Sequence, residues 1–224
     1  MIKAIIFDFD GVIIDSEPLH FKAFKKVLDS LNINFIEVDY WSKYLAMSDK
    51  DLFINLNKDR NLNWDSNTIE QLIEKKGKYF LKFIQEEPNF FHGINNVLLD
   101  LYQSFILTIA SGALKHEIQF VLKKLNAEKL FKYIISAEEV QQGKPNPEIY
   151  LKAYDKLTSI DPSIKKEHCL AIEDSIHGIL AAHNAGIKCI AVAHSYKEED
   201  IAIADSVLPH ISLLNSNIIK SLFS

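Results

Sequence analysis

The chain has only two cysteines in 224 residues, Cys169 and Cys189, each inside an apolar run. That scarcity argues against a fold stapled by disulfides and makes buried free thiols the expectation. Long apolar stretches are also missing: none approaches the roughly 18 residues that a bilayer-spanning helix needs. The first apolar segment is interrupted at once by Asp8 and Asp10, which argues against a signal peptide. A cytoplasmic protein with no membrane partner is the expectation. The formal net charge is −5, with acids and bases interspersed. No basic patch is concentrated enough to predict a nucleic-acid partner. The lysines between Lys115 and Lys132 recur at helical spacing, as on a solvated face. There is no cysteine–histidine cluster for zinc, no P-loop, no internal repeat and no low-complexity segment. What remains is an ordinary globular composition, 48% hydrophobic, in a length suited to one large domain or a domain with an insertion.

Strand-length apolar runs lie at Ile2–Phe7, Phe105–Ala110, Tyr133–Ile135, Cys169–Ile172 and Lys188–Ala193. Helical patterns separate them. Ile118, Val121, Leu122 and Leu125 share one helix face. Asn146 before Pro147 predicts an N-cap with proline at the first helical position. Ser175 predicts the cap of a helix through Ile176, Ile179 and Leu180, with Gly186 after its end. Strands that are apolar throughout, alternating with helices, imply an α/β fold with a parallel sheet covered on both faces. Residues 16–91 break the rhythm. They contain helical stripes (Phe21, Phe24, Leu28, Leu31; Leu52, Phe53, Leu56; Ile69, Leu72, Ile73, Phe80, Ile84) and no convincing strand. The expected organisation is a sheet domain of residues 1–15 and 92–224 with a helical insertion of residues 16–91. Pro18, Pro88 and Gly93 at the two crossings suit a hinge.

Four polar clusters follow strand-like runs or open helices: Asp8 and Asp10; Ser111 and Gly112; Gly143, Lys144 and Pro145; Glu173 and Asp174. In an open parallel sheet, ligands bind outside the carboxyl ends of the strands, so these clusters are expected at one edge. Asp8 and Asp10 are expected to share a face while the first strand persists, and Gly11 to permit a tight turn. The inventory fits phosphoryl transfer, in which charge on the transferred group must be neutralised and held. Mg²⁺ takes oxygen ligands from a few carboxylates and the phosphate itself. Lys144 supplies fixed positive charge, while Ser111 and the N–H near Gly112 can donate to phosphate oxygens. Taken singly, each cluster reads as well as a turn, a cap or a surface residue; their shared placement carries the functional reading.

The stretch Phe7-Asp8-Phe9-Asp10-Gly11-Val12-Ile13-Ile14-Asp15-Ser16-Glu17 resembles the first motif of the haloacid dehalogenase superfamily. Ile109-Ala110-Ser111-Gly112, Gly143-Lys144-Pro145-Asn146-Pro147 and Ile172-Glu173-Asp174-Ser175 resemble its later motifs, in order. The continuation from His177 to Gly186 is similar to the β-phosphoglucomutase-like phosphatase branch. The resemblance implies a Rossmann-like, doubly wound core with an inserted helical cap that closes over the substrate. It implies Asp8 as nucleophile, forming an aspartyl-phosphate, and Asp10 as acid and then base. It further implies Mg²⁺ held by Asp8, the Asp10 carbonyl and Asp174, with Glu173 in or next to that shell, and phosphate held by Ser111, Gly112 and Lys144. Two neighbouring carboxylates in opposed environments are how such roles separate.

Asp10 narrows the reaction. Dehalogenase and phosphonatase branches lack an aspartate two positions after the nucleophile, which leaves phosphatase or mutase. Tyr44–Asp51, including Ala46 and Ser48, resembles the mutase branch's specificity loop, and His20 falls where that branch has a cap-side histidine. A lone histidine beside Phe21 and Phe24 reads equally as a packed cap residue. The branch's arginine after the serine is replaced by Asp49, its lysine by Leu45, and the polar pair after the second motif by Ala113-Leu114. A carboxylate at 49 is expected to repel a distal phosphate. The expected function is therefore hydrolysis of a small phosphorylated metabolite, a sugar phosphate, by a monomer. A β-phosphoglucomutase-type mutase and a non-catalytic binding protein are the alternatives.

Overall fold

The computed structural model describes residues 1–45 and 47–223. The chain divides into two compact units, Met1–Asp15 together with Asn89 onward, and Ser16–Pro88. The division falls at 88/89, where the sequence suggested 91/92. The reason is local pairing. The Asp15 N–H donates to the Asn89 carbonyl at 2.8 Å, Asn89 Nδ2 donates to Asp15 Oδ2 at 2.9 Å, and Ile14 bridges Phe90.

The first unit is an α/β layer structure. Its strands are β1 (Ala4–Phe7), β2 (Ile106–Ala110), β3 (Phe131–Ile135), β4 (Cys169–Glu173), β5 (Lys188–Val192) and β6 (Ser206–Leu208). They form one sheet in the order β3-β2-β1-β4-β5-β6, every neighbouring pair parallel. This is the doubly wound order, with the chain reversing direction across the sheet at β1 and β4. β1 is buried at every position, as a central strand covered on both faces requires. Ala4 and Ile6 pack with Tyr150, Ala153 and Leu157 and with Ile179 and Ala182. Phe7 alternates to the other face and meets Phe131 edge-on at 5.9 Å. β6 was not expected; at three half-buried residues it carries too little periodicity to read.

The helices Tyr150 and Ile179 belong to illustrate local signals. Glu148–Ile160 begins one residue later than expected. Pro147 takes the N-cap position, and Asn146 Oδ1 accepts from the Glu148 N–H at 2.9 Å from one residue further out. Ile176–Asn184 is capped by Ser175, whose hydroxyl accepts from the Gly178 N–H at 3.1 Å, and Gly186 follows it at φ 76°.

The second unit is helical: α1 (Glu17–Asp29), α2 (Glu37–Asp39), a π-helical turn (Tyr40–Tyr44), α3 (Asp49–Arg60) and α4 (Ser66–Glu86). Its core joins Phe24, Val27 and Leu28 to Leu52, Phe53 and Leu56 and to Ile69 and Leu72, the stripes the sequence displays. Leu31 falls past the end of α1 and is exposed. Both cysteines are buried and free. Among the described residues, no helix is long and apolar enough to cross a membrane.

Candidate active site

β1 ends at Phe7, one residue before Asp8. Phe7 stands opposite Ile172 in the parallel register, and the Asp8 N–H extends the ladder by donating to the Ile172 carbonyl at 2.9 Å. That register sets Asp8 beside Glu173, at the point where the sheet order reverses. Asp10 is not on a strand. It lies in a turn closed by the Ile13 N–H to the Phe9 carbonyl at 2.8 Å and the Gly11 N–H to the Ile14 carbonyl at 2.9 Å. The expectation that strand alternation would align the two aspartates is therefore corrected: the turn, not the pleat, places Asp10. Gly11 adopts φ 72°, and a Cβ there would sit 1.9 Å from Asp174 Oδ2. The close approach that glycine permits is to the end of β4.

Asp8, Glu173 and Asp174 are all buried, and each offers a carboxylate oxygen within 4.8 Å of the others. Asp10 is not one of these three. Lys144 Nζ lies 2.6 Å from Glu173 Oε1 and 2.9 Å from Asp8 Oδ1. The first contact is a hydrogen bond. The second is an ion pair between buried groups, so one ammonium serves both carboxylates. Glu173 is the most fully engaged of the three. Oε1 also accepts from the Tyr150 hydroxyl at 2.7 Å, and Oε2 accepts from the Asp174 N–H and the Ser175 hydroxyl, both at 3.2 Å. A Cβ on Gly178 would lie 1.9 Å from its carboxyl carbon, so the helix after Ser175 is closed to any larger residue there.

Three carboxylates share one lysine. Burial, only partly offset by Lys144 and reinforced by Glu173 and Asp10, pushes the Asp8 carboxyl up to about 7. Burial, with Glu173 and Asp8 nearby, pushes Asp174 well above the usual carboxylate range. Burial opposes charge on Lys144 too, yet Asp8 and Glu173 outweigh it and hold the ammonium above its ordinary value. Buried charge left short of a counter-charge is costly, and a hard divalent cation with oxygen ligands would relieve it. Three buried carboxylates sharing one lysine, and the all-oxygen donor set, fit such a cation.

Ser111 follows β2 and is fully buried, its hydroxyl oxygen accepting from the Ala113 N–H at 3.0 Å. Gly112 beside it is exposed. His20 and Ser48 belong to the helical unit. Ser48 caps α3, accepting from the Asp51 N–H at 3.1 Å and donating to Asp51 Oδ2 at 2.6 Å. Ala46, in the same loop, lies outside the described residues. His20 stacks on Phe80 at 4.0 Å, and its Nδ1 is 2.5 Å from Lys76 Nζ. Burial, with Lys76 adding to it, holds the imidazole well below its usual pKa.

Lys76 escaped the sequence reading. It is 2% exposed and donates to Asp49 Oδ1 at 2.7 Å, with its ammonium 4.7 Å and 4.9 Å from the Phe24 and Phe80 ring centres. Its signal was a lysine on the apolar stripe of α4. The reading of Asp49 changes with it: the carboxylate is neutralised by Lys76 and is not a free repulsive charge. Tyr150, His194 and Ser195 were also missed, since nothing local marks a tyrosine in an apolar helix or a polar pair after a strand.

A family model described as haloacid dehalogenase-like hydrolase matches residues 5–192. The chain is 30% identical over 200 residues to the phosphorylated carbohydrates phosphatase of Thermotoga maritima, covering 88% of each chain. It is 28% identical over 218 residues to hexitol phosphatase B of Escherichia coli K12, covering 96% of this chain and 95% of that one. In fold it is similar to β-phosphoglucomutase from Clostridium difficile, with a TM-score of 0.82 at 24% identity, over 100% of this chain and 97% of that one.

Proposed function

The chain belongs to the haloacid dehalogenase-like hydrolases and is an enzyme of the phosphatase kind; from that premise we propose a Mg²⁺-dependent hydrolase of a small phosphorylated metabolite, a sugar or sugar-alcohol phosphate. The observation that carries the proposal is the buried set Asp8, Glu173 and Asp174 at the sheet's reversal point, with Lys144 between Asp8 and Glu173.

In the proposed reaction an Asp8 oxygen bonds to phosphorus as the bond to the ester oxygen breaks, and Asp10 gives its proton to the departing alkoxide. Asp10 then takes a proton from a water whose oxygen attacks phosphorus, releasing inorganic phosphate and the Asp8 carboxylate. Lys144, the Ser111 hydroxyl and the Gly112 N–H hold the phosphoryl oxygens. Asp8, Asp174 and the Asp10 carbonyl would hold the cation. Glu173, committed to Lys144, Tyr150 and Ser175, acts at the edge of that shell by fixing the lysine. When bound, Mg²⁺ supplies charge neutralisation to the carboxylates and the phosphoryl group. His20 and Ser48 are proposed to tune substrate choice from the helical unit.

Hydrolysis is favoured over a mutase by the Lys76–Asp49 pair. A bisphosphorylated intermediate needs a cation free for its second phosphate, and at position 49 there is a carboxylate already bound to the unit's buried lysine. The test is Mg²⁺-dependent hydrolysis of an aryl phosphate and a panel of metabolite phosphates, with β-glucose 1-phosphate isomerisation assayed beside a bisphosphate activator. Hydrolysis without isomerisation is expected. Isomerisation as the faster reaction would replace this reading with the mutase, and no turnover of either kind would favour a binding protein.

A further inference from the structure

β5 ends at Val192, and the chain turns so that two successive polar residues face the acidic site. His194 Nδ1 lies 2.7 Å from the Gly11 carbonyl, so Nδ1 carries the proton and donates. On the other side of the ring, Nε2 accepts from the Ile211 N–H at 3.1 Å. These opposed demands admit one neutral tautomer. Phe91 stacks on the ring at 3.8 Å, with the planes 20° apart, and fixes its tilt. The next residue, Ser195, donates its hydroxyl proton to Asp174 Oδ2. Gly11 and Asp174 are themselves so close that no side chain fits between them. His194 and Ser195 therefore grip the two sides of one junction. One side is the turn that carries Asp10, and the other is the Asp174 carboxylate just past the end of β4.

We infer that His194 and Ser195 form a clasp that positions Asp174 as a metal ligand and holds the Asp10 turn in register with it. The inference rests on the proposed reading of the site as a Mg²⁺ phosphatase, and it adds two positioning residues from a strand end to which neither the motifs nor the reaction scheme assigns a part. Ser195 engages Oδ2, which restricts the carboxylate's rotation about its last bond. A ligand so oriented loses less freedom when the ion arrives. His194 acts on geometry alone: it holds a carbonyl one residue from Asp10 and touches no reacting atom. A histidine serving only as packing would not need both nitrogens engaged in opposite senses.

The experiment titrates the full chain with magnesium chloride by calorimetry, without substrate, and measures kcat and KM separately. Ser195→Ala is expected to weaken Mg²⁺ binding roughly 10- to 100-fold, the usual effect of removing a partner behind a metal ligand. Ser195→Thr, which keeps the hydroxyl, is expected to bind as wild type does. His194→Ala is expected to lower kcat with KM nearly unchanged, and His194→Asn, which keeps a donor towards Gly11, to recover most of it. Melting in chelator checks that each variant is folded. If Ser195→Ala melts with the wild type and binds Mg²⁺ within about twofold of it, well short of that expected range, the clasp is overturned while the phosphatase reading stands. A wild type that neither binds Mg²⁺ nor hydrolyses phosphate esters overturns both.

Discussion

The two units each bury a lysine against acidic side chains of their own, one in the helical unit and three in the sheet unit, so the charge balance is opposite. In the helical unit Lys76 is matched: Asp49 takes its charge, His20 accepts a hydrogen bond, and Phe24 and Phe80 present their ring faces. In the sheet unit Lys144 is outnumbered by Asp8, Glu173 and Asp174. A matched buried ion is a structural element, whose desolvation is offset on the spot. An unmatched set is costly by itself and so marks a candidate site for a bound counter-charge. Charge balance thus distinguishes the Lys76 cluster from the candidate catalytic one without reference to motifs.

The largest expected effect is on turnover. Asp8→Asn should lower kcat by on the order of 10⁴ or more, as removal of a nucleophile does, and steady-state hydrolysis of an aryl phosphate checks it. The same substitution should not lower the melting temperature in chelator, because it removes one of the crowded carboxylates. A large loss of stability would mean that the sheet-unit cluster is balanced after all.

Lys76→Met should do the reverse and act on stability first. Removing one partner of a buried pair costs about 3–5 kcal/mol, and the lower end applies because Asp49 keeps some contact with water. The unfolding midpoint in urea reads this effect. The double variant Lys76→Met/Asp49→Leu should recover most of the loss, since no charge is then left unpaired.

Mg²⁺ should raise the melting temperature of the wild type. A cation at a hundred times its dissociation constant adds about 2.7 kcal/mol. Asp174→Asn should abolish the gain, and Lys76→Met should leave it intact. A gain lost in Lys76→Met would erase the distinction between the two lysines.

The smallest effect belongs to surface pairs. Lys78→Ala removes an exposed partner of Glu74 and should move the urea midpoint by no more than about 0.5 kcal/mol.

Much of this was legible in residues. Ile2–Phe7, Phe105–Ala110 and Cys169–Ile172 read as buried strands because they are largely apolar runs of strand length, and parallel strands follow when helices intervene. Asp8, Glu173 and Asp174 stood out because charge after such a strand is costly, and Lys144 because its cluster opens a helix in the same series. β6 was illegible, being an edge strand of three half-buried residues. Lys76 was visible only as a discord on an apolar stripe, and its partner Asp49, 27 positions away, could not be found from spacing. Tyr150, His194 and Ser195 bear no local signature, because their meaning lies in what they face.

The sequence by itself determined the α/β class, the helical insertion, the order of the polar clusters and the residues proposed as reactive groups. Those depend on apolar periodicity and on residue chemistry, which are local. Only the tertiary structure decided the balance of charge. It brought three carboxylates to one lysine at the reversal of the sheet, gave the other lysine its partners, and set a histidine and a serine from the end of β5 behind Gly11 and Asp174. Electrostatic energy depends on distances between residues far apart in the chain, and the fold alone sets those distances.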